Sequence, residues 1–294
     1  MKKLLIFLFI IIPGILIITY PFYSNFFLAI QVDGEIATYQ SEAEDEQVNA
    51  AAMLEAAEHY NQKLKETGSV ILGVLNNTEE TDEPGKKERD EEYWNALDLN
   101  GSGMLGIIRI PAINVRLPIY HGTADDTLEK GVGHMEGTSF PIGGMGTHSV
   151  LTGHTGLSNA KLFTDLIQLE EEDVFIIEVL GNKYAYRVCD IFVVNPTDVS
   201  KLAADPNHDY VTLVTCTPYG INTERLLVRG ERTEYHEEDE VVTQDLSDIM
   251  ESKWQKEYLK SILIGAGVFL LIVLIGKRPG KGRNKKNKKE ITYS

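Results

Sequence analysis

Two charge-free apolar segments, one near each end, set the plan of this chain before any fold is considered. Residues 4–32 carry no charged side chain, and Leu4 to Phe27 is almost wholly apolar. At about 1.5 Å per helical residue, that run is long enough for roughly 30 Å of hydrocarbon. Pro13 and Gly14 lie inside it, which a bilayer helix tolerates. A cleaved signal is the rival reading. Lys2 and Lys3 suit either, but Phe27 and Ala29 flank Leu28, so no small-x-small cleavage site follows. Residues 1–30 are therefore read as a transmembrane anchor in preference to a signal. The second segment, residues 259–276, is shorter. Lys260 near its start can snorkel, and Trp254 and Tyr258 suit an interface. Behind it, residues 277–294 hold Lys277, Arg278, Lys281, Arg283, Lys285, Lys286, Lys288 and Lys289. Basic flanks stay cytoplasmic, so both ends are expected inside and everything between them outside.

Charge supports the same division. The net charge is −16, yet the stretch between the two ends keeps 18 of the 28 basic residues and 43 of the 44 acidic ones. So acidic a middle argues against nucleic-acid binding, which needs a basic face. Two cysteines are too few for a disulfide framework.

The outer part divides in two. Residues 31–99 form a helical, lid-like segment. Ser41 is expected to cap a helix over residues 41–66, with Glu42, Glu44, Asp45 and Glu46 near its positive dipole end. A polar run, residues 76–92, contains Pro84-Gly85, and Tyr93, Trp94 and Leu97 predict a short packed helix. Residues 100–232 read differently. Short runs rich in Val, Ile and Tyr recur at 107–110, 115–120, 149–152, 174–180, 184–194, 210–217 and 225–229, split by Gly, Pro, Asn and Asp. That spacing predicts a mainly β domain, a closed barrel or a sandwich, with one helix near residues 160–168. Residues 233–258 are polar and acidic and read as a helical stalk. Asp98, Asn100 and Ser102 imitate a calcium loop, but Arg109 occupies the twelfth position, where a glutamate is required. No Cys/His spacing suits zinc, and no glycine loop suits a phosphate.

A thiol nucleophile needs a group that takes its proton and something for the developing oxyanion. Cys216 ends an apolar run and precedes Thr217-Pro218-Tyr219-Gly220, so it stands at a rim. Arg225 begins the next run nine residues on. If the loop between turns back, adjacent strands place Cys216 and Arg225 side by side, where a guanidinium lowers a thiol pKa or binds an oxyanion. His154 likewise ends a strand and enters a glycine-rich turn, Gly153-His154-Thr155-Gly156. Cys189 is mid-strand and reads as a small core residue. His148 lies six residues before His154, which strand alternation puts on the same face, and it reads as structural.

At these residues the sequence resembles a known family. Leu151-Thr152-Gly153-His154, the stretch Thr212 to Gly230 with Thr-Leu-Val-Thr-Cys and Arg225, Gly106–Tyr120 and Gly133–Pro141 resemble a class C, pilin-polymerising sortase. The resemblance covers about residues 100–232 and implies a sortase-type closed β-barrel with short helices, carrying an N-terminal helical lid segment and two transmembrane helices. It implies that Cys216 attacks the Thr–Gly carbonyl of an LPXTG-like sorting signal to give a thioacyl enzyme. His154 would be the acid/base and Arg225 would stabilise the oxyanion or hold the sorting motif. A pilin lysine would resolve the intermediate as an isopeptide bond, with no metal or organic cofactor. The alternative is a sortase that anchors surface proteins to cell-wall precursor. The chain departs from the family twice. Where many members carry an Asp-Pro-aromatic lid motif, it reads Thr81-Asp82-Glu83-Pro84-Gly85, and Glu224 stands where a histidine is frequent.

Overall fold

Eight strands form between residues 104 and 233, at the places where β-branched and aromatic residues concentrate. They are β1 (Met104–Ile110), β2 (Val115–His121), β3 (Val132–His134), β4 (Thr147–Thr152), β5 (Val174–Val179), β6 (Asn182–Val194), β7 (Asp209–Thr217) and β8 (Glu224–Thr233). In this computed structural model they close into a barrel in the order β1-β2-β3-β4-β7-β8-β6-β5. The structure describes residues 2–45, 47–67, 90–155 and 161–240, with isolated helical positions between 260 and 267. Two compact units are present, Met1–Asp245 and Leu246–Ser294, and all that follows concerns the first.

Closure decides between the barrel and the sandwich. β5 pairs antiparallel with β1, Ile108 opposite Ile177, and so joins the two ends of the sheet. A barrel leaves little free edge, which removes the unpaired N–H and C=O groups that an open sheet would expose. β5 and β6 are joined by a two-residue turn, Leu180-Gly181, both at positive φ, as a tight hairpin of this twist requires. β3 was not expected. Three residues are too few for an alternating pattern, and the strand exists because β2 and β4 flank it.

The barrel is filled by Ile107, Ile119, Phe175, Val211, Leu213 and Val228, among others. β1 is buried on almost every residue because a helix covers its outer side. That helix, α1, runs unbroken from Lys2 to Asp45 and is followed by α2 (Gln47–Thr67). The expected cap at Ser41 does not form, since Ser41 lies inside α1. The reason is an apolar stripe along α1. Val32, Ile36, Tyr39 and Ala43 recur at helical spacing and are all buried, so packing carries α1 through residue 41. The Tyr39 hydroxyl donates to the Leu105 carbonyl (3.0 Å) and accepts from the Leu180 N–H (2.9 Å). Gln40 donates to Glu178 (2.8 Å), which also pairs with Arg109 (2.5 Å).

Among the described residues no helix is long and apolar enough to cross a membrane. Most of the second apolar segment lies outside them, as do residues 277–294, the Thr81–Gly85 run and most of the stalk. The stalk's described part holds a single 3₁₀ turn, Glu237–Glu240. The helix expected near residues 160–168 is reduced to a turn and a 3₁₀ segment, Leu166–Gln168, residue 160 being outside the described set.

The short helix expected after the polar run is α3 (Glu91–Asn95), with the Asp90 side chain accepting from the Tyr93 N–H. Tyr93 is fully buried and fastens α3 to the barrel. Its hydroxyl accepts from the Gly122 N–H (2.9 Å) and donates to the His134 carbonyl (2.8 Å), and its ring stacks on Phe140. Trp94 covers Gly122 so closely that a Cβ there would lie 2.7 Å from the indole. This pins the end of β2, from which the loop to α4 (Asp125–Leu128) departs toward the site.

Candidate active site

Three strand ends meet at one rim of the barrel. β4 and β7 run parallel with Thr152 opposite Val214, and β7 and β8 run antiparallel with Cys216 directly opposite Arg225. The loop between β7 and β8 does turn back, so nine residues of sequence separation become one cross-strand pair. His154 follows β4 in a turn held against β7. The Gly153 N–H donates to the Val214 carbonyl (3.0 Å), and the Thr215 hydroxyl donates to the Gly153 carbonyl (2.7 Å). On the other side, the Phe163 N–H donates to the His154 carbonyl (3.1 Å). Only glycine fits at 153, since a Cβ would stand 2.7 Å from the Phe163 ring. Cys216, His154 and Arg225 line one pocket of about 70 Å³ with Thr123, Asp125 and Thr215.

The electrostatics of the pocket follow from these positions. His154 is half-buried, and its imidazole has no hydrogen-bond partner among the described residues. Burial pulls its pKa below the usual 6.5, against an opposing pull from the carboxylates of Asp125 and Glu129. The ring is therefore mostly neutral at pH 7 and able to accept a proton from a thiol. Arg225 is only 7% exposed. Its Nη1 donates to the carbonyls of Glu224 (3.1 Å) and Asn222 (3.3 Å), and among the described residues no carboxylate pairs with it. A buried guanidinium without an anion is costly, and it remains available to an anion that arrives. Glu224, paired opposite Thr217, contributes its carbonyl to Arg225 rather than its carboxylate.

The other candidates lie elsewhere. Cys189 sits at a bulge between Val188 and Asp190, its Sγ facing the Arg229 carbonyl (3.5 Å). Burial, reinforced by Asp190, pushes its thiol up to about 11, so little of it is thiolate at neutral pH. His148 is buried inside β4, bonded to the Ala203 carbonyl (3.0 Å) and the Thr212 hydroxyl (2.7 Å). Burial depresses its pKa to about 4. His148 and His154 do not share a strand face, because β4 ends at Thr152 and the chain turns before His154. The sequence reading also missed Asp125. It opens α4, a four-residue helix too short to show a periodic pattern, and it lines the rim pocket with His154 and Cys216.

Comparison with known proteins bears on this arrangement. A family model described as Sortase domain matches residues 108–233. The crystal structure of sortase C1 from Streptococcus agalactiae superposes with a TM-score of 0.62 at 38% identity, over 69% of this chain and 99% of that one. This chain belongs to the sortase family. Sortase C-1 from Streptococcus pneumoniae is 42% identical over 69% of this sortase and all of that chain, with a TM-score of 0.60. These neighbours place the chain with the class C members. Among curated relatives, Sortase D of Bacillus subtilis is 31% identical over 130 residues, and Sortase A of Bacillus anthracis 27% over 133. The chain spans 63% and 61% of the length of these two relatives.

Proposed function

We propose that this sortase is a cysteine transpeptidase that cleaves an LPXTG-like sorting signal between Thr and Gly and joins pilin subunits through lysine isopeptide bonds. The observation that carries the reading is the single rim pocket holding a cysteine thiol, an unbonded imidazole and a buried guanidinium without an anion. In the first half-reaction His154 takes the Cys216 proton and the sulfur attacks the threonine carbonyl. Arg225 balances the oxyanion. The C–N bond then breaks, and the imidazolium gives its proton to the departing glycine amine, which leaves a thioester on Cys216. In the second half-reaction an amine attacks the thioester, and His154 returns a proton to the leaving sulfur. The thioester conserves the energy of the cleaved amide, so the exchange needs no nucleotide.

Acting on secreted subunits requires the barrel to stand outside the cell. Residues 1–30 and 259–276 are proposed as its two anchors and residues 277–294 as a cytoplasmic tail, on the strength of hydropathy and basic flanks. The name sortase C1 of the neighbours favours polymerisation over attachment to cell-wall precursor.

The decisive test incubates the chain with an LPXTG-type peptide and maps any acyl adduct by mass. An adduct on Cys216, lost in Cys216→Ala and kept in Cys189→Ala, is expected; an adduct on Cys189 would overturn the site. With a pilin added, a ladder of covalent oligomers is expected. Exclusive transfer to cell-wall precursor would instead support the anchoring activity.

A further inference from the structure

We infer that Asp125 is the acceptor-recognition residue of this sortase, holding the incoming lysine side chain as its ammonium ion beside His154 and Cys216. The inference rests on the transpeptidase reading and assigns the acceptor side of the same pocket.

The pocket walls carry two opposite charges. Arg225 is the only cationic side chain among the lining residues, and Asp125 is the only carboxylate. Arg225 is tied into the β7–β8 pair beside the sulfur, where the thioester carbonyl oxygen must lie. A cationic nucleophile is repelled from that side. Asp125 lines the pocket from the first turn of α4, near enough to His154 to oppose the effect of burial on the imidazole. It has no ion-pair partner among the described residues, and its side is open to solvent, so it is free to receive a cation from outside. Glu129 also acts on His154 but does not line the pocket.

The chemistry needs such a group. A lysine amine is almost wholly protonated at pH 7, so it arrives as a cation and must lose two protons to become an amide. Beside Asp125 the ammonium stands next to the one base in the pocket. One proton passes through His154 to the Cys216 sulfur as the C–S bond breaks. The other leaves to solvent before attack, which frees the nitrogen lone pair that forms the C–N bond. The acidic middle of the chain, with 43 of its 44 acids, adds a long-range field that draws cations toward the rim.

The test compares two nucleophiles on the full chain loaded with an LPXTG-type donor peptide. One is a lysine-bearing peptide, cationic at neutral pH. The other is hydroxylamine, uncharged there. In Asp125→Asn the apparent KM for the lysine peptide is expected to rise about 2–5-fold, the range of an exposed ion pair, with a much smaller change for hydroxylamine. Asp125→Glu restores the preference, and raising the salt toward 1 M shrinks the difference between wild type and Asp125→Asn. Equal changes for both nucleophiles, or no change for either, would overturn the inference while leaving the transpeptidase reading intact. A chain that forms no thioacyl adduct on Cys216 overturns that reading and this inference with it.

Discussion

Acidification should unfold this barrel through two histidines that take no part in catalysis. His134 is fully buried and His148 is 2% exposed. Burial holds their pKa values at about 3 and about 4, against 6.5 for an ordinary histidine. Between those limits the unfolded chain binds two protons that the folded chain refuses. The sign follows directly: stability is complete above pH 6.5 and falls as the pH drops toward the folded values. Each histidine costs about 1.4 kcal/mol per pH unit. The pair therefore removes about 5 kcal/mol between pH 6.5 and about pH 4.5, as much as the whole stability of a marginal domain. Asp209 works the other way, because burial raises its carboxyl above the usual value and returns some stability as it protonates. That return accrues as the pH falls from the raised value toward the ordinary aspartate range, and it opposes the histidine loss. The assay is urea unfolding at half-unit pH steps, read by the near-ultraviolet circular dichroism of the aromatic cluster around Tyr93. In His148→Gln the slope should fall to about half, since the amide can still reach the Ala203 carbonyl and the Thr212 hydroxyl without titrating. A flat wild-type profile from pH 6.5 to 4.5, or an unchanged slope in His148→Gln, would refute the reasoning.

Other expectations concern the site. Arg225→Gln should lower kcat for thioester formation about 10²–10³-fold, the loss seen when one oxyanion donor is removed. Its melting temperature should hold or rise, since the buried charge has no anion to lose. The acid limb of kcat/KM for thioester formation should have its midpoint below pH 6.5, because the lowered pKa of His154 keeps the base neutral there; a midpoint above 6.5 would mean that Asp125 and Glu129 outweigh burial. Gly153→Ala should cost about 1–3 kcal/mol in urea unfolding by driving a methyl into Phe163. It should also slow alkylation of Cys216, as the His154 turn shifts. Cys189 should resist iodoacetamide at pH 8 in the folded chain, since its thiol titrates near 11.

Much of this protein was legible in its sequence, for reasons of period and end-placement. Seven of the eight strands announce themselves as β-branched runs, because a strand with a buried face must repeat its apolar residues locally. Cys216 and Arg225 could be paired from nine residues of separation, because a short loop between two strands leaves few registers. Yet the sequence alone left barrel and sandwich open. The pairing of β1 with β5 decides it, and that contact joins runs about seventy residues apart which carry no mark of each other. β3 is a strand only because its neighbours supply its hydrogen bonds. Ser41 offered a good cap, and the burial of Val32, Ile36, Tyr39 and Ala43 against the barrel outweighed it. His148 and His154 looked alike in sequence, six residues apart, but the first is sealed between Ala203 and Thr212 and the second opens on the thiol. Local pattern thus determined which segments become strands and which side chains end them. Burial and charge environment, which belong to the closed barrel alone, decided which histidine stays neutral inside it and which carboxylate, Asp125, lines the pocket beside His154.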